Sequence, residues 1–116
     1  MYFVVRCFYR PGGAEERLSI RRMHIDYMIA HRHLIEQGGA LVEADGENVV
    51  GMFLLLNLDS VTDAHRFLDD EPYASAGLFE HRSIEILNRF IPHEDPDFLV
   101  NLRETCSPVV KKSSVE

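Results

Sequence analysis

The sequence has few of the features that mark secreted, membrane or nucleic-acid-binding proteins. Its two cysteines, Cys7 and Cys106, form no Cys-x-x-Cys pair, which excludes a disulfide scaffold and a zinc site of that type. Lys and Arg number 12 against 19 Asp and Glu, and the formal net charge of -7 argues against binding to a phosphate backbone. No apolar run reaches the roughly 18 residues of a membrane helix, and no secretory signal is recognisable. We therefore expect a cytoplasmic protein that binds neither nucleic acid nor membrane.

The amino-acid composition indicates one folded domain. The 116 residues are 46% hydrophobic and 27% charged, which is typical of a globular chain of this length. We predict a single domain over residues 1–91. The remaining residues, 92–116, are more polar and contain several prolines, so they are expected to form a C-terminal arm or tail.

Hydrophobic periodicity predicts six regular elements in the domain. Strands are expected at residues 2–9, 40–44, 49–57 and 81–90, and helices at 14–37 and 60–70. Gly38 and Gly39 are expected to end the first helix, and Ser60 to cap the second. The order β-α-β-β-α-β predicts an α+β fold of the ferredoxin-like type.

The third predicted strand is apolar on both of its faces. Phe53 and Leu55 alternate with Leu54 and Leu56 along residues 49–57. Helices cover only one face of a ferredoxin-like sheet, so the other face is normally polar. Burial of both faces is most simply achieved by a second copy packed sheet to sheet, and we predict a homodimer. The alternative is a monomer whose own tail crosses the open face.

His24 is the strongest candidate for chemistry from the residues alone. It lies in Arg21-Arg22-Met23-His24-Ile25-Asp26-Tyr27, where about one helical turn presents positive charge, an imidazole and a phenol. An imidazole that titrates near neutral pH suits general acid–base catalysis, and a purely structural histidine is the alternative. Glu71 precedes Pro72 and is therefore pushed out of helical geometry, which presents its carboxylate from a turn.

The spacing of the histidines does not predict a metal site. His24 and Asp26, like His31 and His33, are two residues apart, and such pairs point to opposite sides of a helix. His31 and His33 are interpreted as solvated or partly packed helix residues.

Two segments resemble the YCII-related family. They are Arg21-x-x-His24 and Asp70-Glu71-Pro72-Tyr73-Ala74-Ser75-Ala76-Gly77-Leu78-Phe79-Glu80-His81. The resemblance implies ferredoxin-like protomers that pair sheet to sheet into a dimeric α/β barrel, and a His–Asp dyad in a pocket. His24 occupies the histidine position. Glu71 occupies the acid position, where the family usually has Asp, and Asp70 is the alternative acid.

The resemblance also implies cofactor-free proton transfer on a small aromatic or lactone substrate, with no metal. The most specific form of this hypothesis is a lyase that dehydrochlorinates a chlorinated hydroxyhydroquinone, with His24 as the base and Glu71 or Asp70 as its partner. The alternatives are a muconolactone-type isomerase, a cofactor-free oxygenase and a non-catalytic ligand-binding or assembly domain. The substrate-binding residues expected on this basis are Arg6, Arg21, Tyr27, Phe53, Tyr73, Ser75 and Phe79.

Proteins of the related isomerase fold send their C-terminal segment across the dimer. The apolar patch Phe98–Leu102 is therefore expected to dock on the neighbouring subunit, with docking on its own subunit as the alternative. Lys111–Glu116 is expected to stay mobile.

Overall fold

The computed structural model describes residues 1–108, which contain four strands and five helices. The strands are β1 (Tyr2–Tyr9), β2 (Ile35–Val42), β3 (Val49–Asn57) and β4 (Phe79–Leu87), and the helices are α1 (Gly13–Glu16), α2 (Arg21–His31), α3 (Val61–Asp70), α4 (Pro72–Ser75) and α5 (Phe98–Glu104). The strands form one antiparallel sheet in the order β2-β3-β1-β4, which confirms the ferredoxin-like α+β prediction. None of these helices in the described chain is long and apolar enough to cross a membrane.

The hydrophobic core lies between the sheet and helices α2 and α3. Alternate side chains of the two central strands enter it, among them Phe3 and Val5 of β1 and Leu54 and Leu56 of β3. Helix α3 is capped by Ser60, whose Oγ accepts a hydrogen bond from the backbone N–H of Asp63 at 3.1 Å, as the sequence predicted.

The first helical region differs from the predicted helix over residues 14–37. Short 3-10 turns, Arg17–Ile20 and Arg32–Leu34, flank α2, and the chain is already extended from Ile35. Gly38 and Gly39 consequently lie inside β2 and do not end a helix. A Cβ atom at position 38 would lie 2.9 Å from Cδ2 of Leu54, so the missing side chain leaves room for the core beneath β2. Glycine is compatible with both a helix end and a strand, which is why its position misled the prediction.

The inward face of α2 also differs from the apolar stripe that periodicity predicts. The apolar spacing in the sequence predicts a stripe of Ile20, Met23, Tyr27, Ala30 and Leu34. Ile20, Tyr27 and Leu34 are half-buried, but Met23 is 60% exposed and Ala30 is exposed as well. The half-buried side chains of α2 are His24, Tyr27, Met28 and His31, so three of the four carry a polar aromatic ring. The rings of His24, Tyr27 and His31 each have a hydrogen-bond partner, which offsets the cost of burying a polar group. A search for apolar periodicity does not detect a helix face of this kind.

The opposite face of the sheet carries Phe53 and Leu55, and Leu55 is buried. Arg89, which follows β4, lies with its guanidinium 4.0 Å from the centroid of the Tyr2 ring. The same guanidinium is 3.1 Å from the carboxylate of Glu36 on β2, so this arginine connects the two edge strands. The dimer predicted from the apolar character of this face stays a prediction.

The C-terminal arm contains α5. Phe98, its first residue, packs on Phe90 and His93 of its own chain, with ring centroids 5.3 and 3.9 Å away. Leu99 and Val100 of the same helix are exposed. Docking of this patch on a neighbouring subunit stays a prediction, and Lys111–Glu116 lies outside the described residues.

Candidate active site

A cavity of about 550 Å³ lies between α2 and the β2–β3 half of the sheet. This volume is within the range of pockets that bind small molecules. Its helical wall carries Arg21, His24, Ile25, Met28 and Arg32, which share one face of the helix because of their spacing. Small residues of the facing strands complete the wall: Gly38, Gly39, Ala40 and Gly51. These positions carry little or no side chain, which leaves space beside the larger strand residues that also line the cavity, such as Met52 and Leu54.

His24 and Glu71 meet at this cavity. The Nδ1 atom of His24 lies 2.7 Å from Oε2 of Glu71, and Nδ1 is the donor because a carboxylate accepts hydrogen bonds. Glu71 is fully buried. Its Oε2 also accepts the backbone N–H of Tyr73 at 3.1 Å, and its Oε1 accepts the N–H of Ala74 at 3.2 Å. Glu71 therefore caps α4, and three donors hold its carboxylate in one orientation.

The imidazole ring of His24 is held by stacking as well as by hydrogen bonding. It lies parallel to the ring of Tyr73, with the centroids 4.0 Å apart and an interplanar angle of 7°. Tyr73 in turn contacts Tyr9 and Phe79 edge-on, at 6.1 and 6.4 Å. Because Nδ1 is engaged by Glu71, Nε2 is the ring nitrogen that remains for a ligand in the cavity. The arrangement offers one fixed imidazole nitrogen for proton transfer.

Two tyrosines next to the dyad remain protonated at neutral pH. Burial is the main cause that raises the pKa of Tyr9, and the neighbouring Tyr73 raises it further. Burial also raises the pKa of Tyr73, although Arg17 and Arg21 act in the opposite direction. Both hydroxyl groups are therefore hydrogen-bond donors and not bases. Tyr9 lines the cavity and was missed by the sequence analysis.

Three arginines line the same cavity: Arg17, Arg21 and Arg32. Arg17 donates to the backbone carbonyl of Ala14, and its guanidinium lies 5.9 Å from the centroid of the Tyr9 ring. Of these three, only Arg21 was expected at the site from the sequence. Met28 follows Arg21 by seven residues, and Arg32 follows Met28 by four, which places all three on one helix face. This spacing could have identified Arg32.

Two residues that the resemblance assigned to the substrate lie on the other side of the sheet. Arg6 and Phe53 face each other across β1 and β3, on the surface opposite to α2. Arg6 forms an ion pair with Glu85 at 3.0 Å. Side chains alternate along a strand, and Val5 and Leu54 are the ones that face the helices. The expected contact of Arg6 and Phe53 with the cavity is therefore corrected: within one protomer they do not reach it.

Tyr27 and Asp70 line a second, smaller cavity between α2 and α3. The hydroxyl of Tyr27 donates to the backbone carbonyl of Phe67 at 2.7 Å. Asp70, the last residue of α3, is exposed to solvent. Glu71, and not Asp70, is the acid that the fold brings to His24, because the chain leaves the helix between these two positions.

The remaining two expected residues also lie away from the cavity. Ser75 is exposed, and its hydroxyl donates to the carbonyl of Pro72 at 3.4 Å in its own helix. Phe79 packs behind the site, stacked on Tyr9 with the centroids 5.0 Å apart. It supports the aromatic group without lining the cavity.

Other reactive groups are not assembled at the site. Burial, with a smaller contribution from Glu71, raises the pKa of Cys7 to about 12, so this thiol remains protonated at neutral pH. Within residues 1–108, no three side chains of His, Cys, Asp or Glu converge as a metal site would require.

Fold and site together define a class: ferredoxin-like proteins in which a histidine of the first long helix meets a carboxylate from the turn after α3. The chain belongs to the YCII-related domain family, whose sequence profile matches residues 1–88. None of the curated proteins matches the chain in sequence.

Two solved structures illustrate what the chain is similar to. One is the 5-chloro-2-hydroxyhydroquinone dehydrochlorinase of Burkholderia phenoliruptrix in complex with 2,5-dihydroxybenzoquinone, with a TM-score of 0.71 and 27% identity, covering 77% of this chain and 95% of that chain. The other is SnoaB, a cofactor-independent oxygenase of Streptomyces nogalater, with a TM-score of 0.47 and 18% identity, covering 79% of this chain and 96% of that chain. The second likeness carries no information about activity.

Proposed function

We propose that the protein is a cofactor-free lyase that removes hydrogen chloride from a small chlorinated, hydroxylated aromatic ring. The observation that carries this proposal is the pairing of Nδ1 of His24 with the fully buried carboxylate of Glu71 at a cavity of suitable size. The similarity to a dehydrochlorinase, at 27% identity and a TM-score of 0.71, supports the reaction class.

The chemistry of such an elimination matches what a single fixed imidazole can do. Two hydroxyl protons leave the ring, one proton is added at the carbon that bears chlorine, and the carbon–chlorine bond then breaks with both electrons leaving on chloride. The product is a hydroxyquinone, so hydrogen chloride is lost overall and no external oxidant is needed. Every step except chloride departure is a proton transfer, which a positioned base accelerates by about 10²–10⁴-fold.

The residues at the cavity take distinct roles in this proposal. Nε2 of His24 accepts the first hydroxyl proton and returns a proton to the ring carbon. The imidazole, neutral again, then accepts the second hydroxyl proton as chloride leaves, and releases it to solvent. Glu71 keeps the imidazole oriented and stabilises its protonated form through a charge-assisted hydrogen bond. Arg17 and Arg21 hold the phenolate oxygen, and the hydroxyl of Tyr9 is a further donor.

The direct test is incubation of a chlorinated hydroxyhydroquinone with the protein without added metal or cofactor. We expect release of one chloride per ring and formation of quinone absorbance, with no oxygen consumption. Oxygen uptake would instead indicate an oxygenase, and conversion of a muconolactone would indicate an isomerase. Binding without any turnover would indicate a ligand-binding domain.

Two adjacent arginines provide a matched pair for this assay. Arg21 lines the cavity and Arg22, beside it on α2, does not. Arg21→Gln should raise KM for the ring substrate about tenfold, because a hydrogen bond to an anion is lost. Arg22→Gln should leave KM unchanged. Equal effects of the two substitutions would remove Arg21 from the site.

We also propose that two copies of the chain pack through the face of the sheet that carries Leu55. Light scattering should then give twice the mass of the chain. Phe8→Asp should yield a folded monomer, because Phe8 lies on that face and is exposed in the single chain. Leu54→Asp should unfold the protein, because Leu54 points into the helix-covered core. A wild-type monomer at micromolar concentration would contradict the proposal.

A further inference from the structure

The arginines of this chain divide into two groups according to their partners. Among residues 1–108, six arginines lie within salt-bridge distance of a carboxylate: Arg6, Arg10, Arg66, Arg82, Arg89 and Arg103. Four have no such partner in this part of the chain: Arg17, Arg21, Arg22 and Arg32. Three of these four line the cavity described above.

This distribution is informative because the chain as a whole is acidic. With 19 carboxylates against 12 basic residues, partners for arginine are abundant on the surface. Guanidinium groups left without a carboxylate in a cavity bind anionic ligands, and arginine does so with two parallel hydrogen bonds to one carboxylate. The cavity therefore selects for negative charge at more than one point.

The cationic groups lie at two ends of the cavity. Arg21 and Arg32 share one face of the α2 region but are eleven residues apart, which is about 16 Å along a helix axis. The dyad and Arg17 belong to the Arg21 end, where Arg17 and Arg21 both act on Tyr73. The cavity is thus cationic at both ends.

The middle of the cavity is apolar. Ile25 and Met28 line it from α2, and Met52 and Leu54 line it from β3. An anionic group would lose hydration there without gaining a partner, whereas a hydrocarbon or aromatic spacer would be favoured.

The carboxylate of Glu36, at the Arg32 end of the cavity, does not neutralise Arg32. Glu36 lines the cavity but is paired with Arg89 at 3.1 Å. Arg32 is therefore free to bind an acidic group of a ligand.

The size of the cavity also exceeds the need of a single ring. An apolar cavity of about 150 Å³ is enough to hold benzene, whereas this one has a volume of about 550 Å³. A single hydroxylated ring at His24 would leave the Arg32 end unfilled.

We propose that the substrate is an elongated anion with two heads: a hydroxylated ring at His24 and, beyond an apolar spacer, a carboxylate bound by Arg32. This inference rests on the proposed function for the ring end of the site. It makes Arg32 a specificity-determining residue that binds substrate about three helical turns from the proton-transfer centre.

The test compares two probes that differ only in the second head: 4′-hydroxybiphenyl-4-carboxylate and 4-hydroxybiphenyl. Titration calorimetry with the wild-type chain should give at least about tenfold tighter binding of the carboxylate, the value of one charge-assisted hydrogen-bonded pair. Arg32→Gln should remove this difference, and Arg22→Gln should keep it.

A third variant separates ligand binding from a structural role of Arg32. A positive side chain at the end of α2 is favourable for the helix, and Arg32→Lys keeps that charge while losing the two-pronged geometry. We expect Arg32→Lys to restore only part of the preference, with a melting temperature equal to that of the wild type.

Equal affinities of the two probes for the wild type would overturn the proposal. A preference for the carboxylate probe that survives Arg32→Gln but disappears in Arg21→Gln would overturn it as well. Neither probe contains chlorine, so the measurement is independent of turnover. A retained preference without dehydrochlorination would refute the lyase alone, and dehydrochlorination without a preference would refute the two-headed substrate alone.

Discussion

His24 and His31 are two histidines of the same helical face, seven residues and about two turns apart. Each ring packs on a tyrosine, with centroids 4.0 Å apart for His24 and Tyr73 and 4.1 Å apart for His31 and Tyr27. Each Nδ1 makes a short hydrogen bond, of 2.7 Å for His24 and 2.8 Å for His31. In ring distance and hydrogen-bond length the two histidines are nearly equivalent, although the ring of His31 is tilted by 32° from that of Tyr27 and the ring of His24 lies within 7° of Tyr73.

The difference lies in the charge of the partner. His31 donates to the backbone carbonyl of Tyr27, which fixes the ring but has no net charge. His24 donates to the carboxylate of Glu71, which is itself held by two backbone amides. A carboxylate partner forms a charge-assisted hydrogen bond with an imidazolium, and a neutral carbonyl does not. Of these two histidines, His24 is therefore the one whose partner suits the proton transfer that we propose. Under the proposed function, partner charge, and not burial or stacking, separates His24 as the reactive histidine from His31 as a structural one.

The largest expected effect comes from removal of each ring in turn. His24→Ala should lower kcat/KM for ring dehydrochlorination at least about a hundredfold, because the proton acceptor is lost. His31→Ala should keep kcat/KM within about threefold and lower the melting temperature, because a packed ring is removed. Steady-state kinetics and thermal melts of both variants check this prediction, and a similar loss of activity in both would show that packing alone matters.

A smaller effect is expected from the neighbouring acids. Glu71→Gln should lower kcat/KM more than about tenfold, because an amide is a poorer partner for imidazolium than a carboxylate. Asp70→Asn should have almost no effect, since Asp70 is exposed at the end of α3. Glu71→Asp keeps the charge and should lose less activity than Glu71→Gln. If Asp70→Asn proved the more damaging change, the role assigned to Glu71 would be wrong.

The smallest effect concerns the stability of the protein at alkaline pH and depends on Tyr27, which packs against His31. Burial, followed by Asp70 and Glu71, raises the pKa of Tyr27 from 10.0 to about 12. The unfolded chain then loses this proton first, so the stabilising contribution of the neutral hydroxyl is complete below about pH 10 and disappears as the pH rises to about 12. Urea unfolding at pH 9 and pH 11 should show a smaller alkaline loss of stability for Tyr27→Phe than for the wild type. Equal losses would contradict the assignment.

Local patterns were sufficient for the order of the elements and for part of the site. Short runs rich in apolar, β-branched and aromatic residues predict the strands, and Ser60 predicts the start of α3, because both effects act over a few neighbouring residues. The position of Glu71 before Pro72 predicts a carboxylate presented from a turn for the same reason. His24 was singled out by its immediate neighbours.

Tertiary structure alone decided which residues share the cavity. Whether Glu71 or Asp70 meets His24 depends on how α2 and α4 lie against each other, and these residues are 47 positions apart in the chain. Placement of α2 and α3 on one face of the sheet excluded Arg6 and Phe53 and brought in Arg17 and Arg32. Gly38 and Gly39 belong to a strand because β3 was available to pair with them. Such outcomes arise from packing between distant segments, which the periodicity of a single segment does not contain.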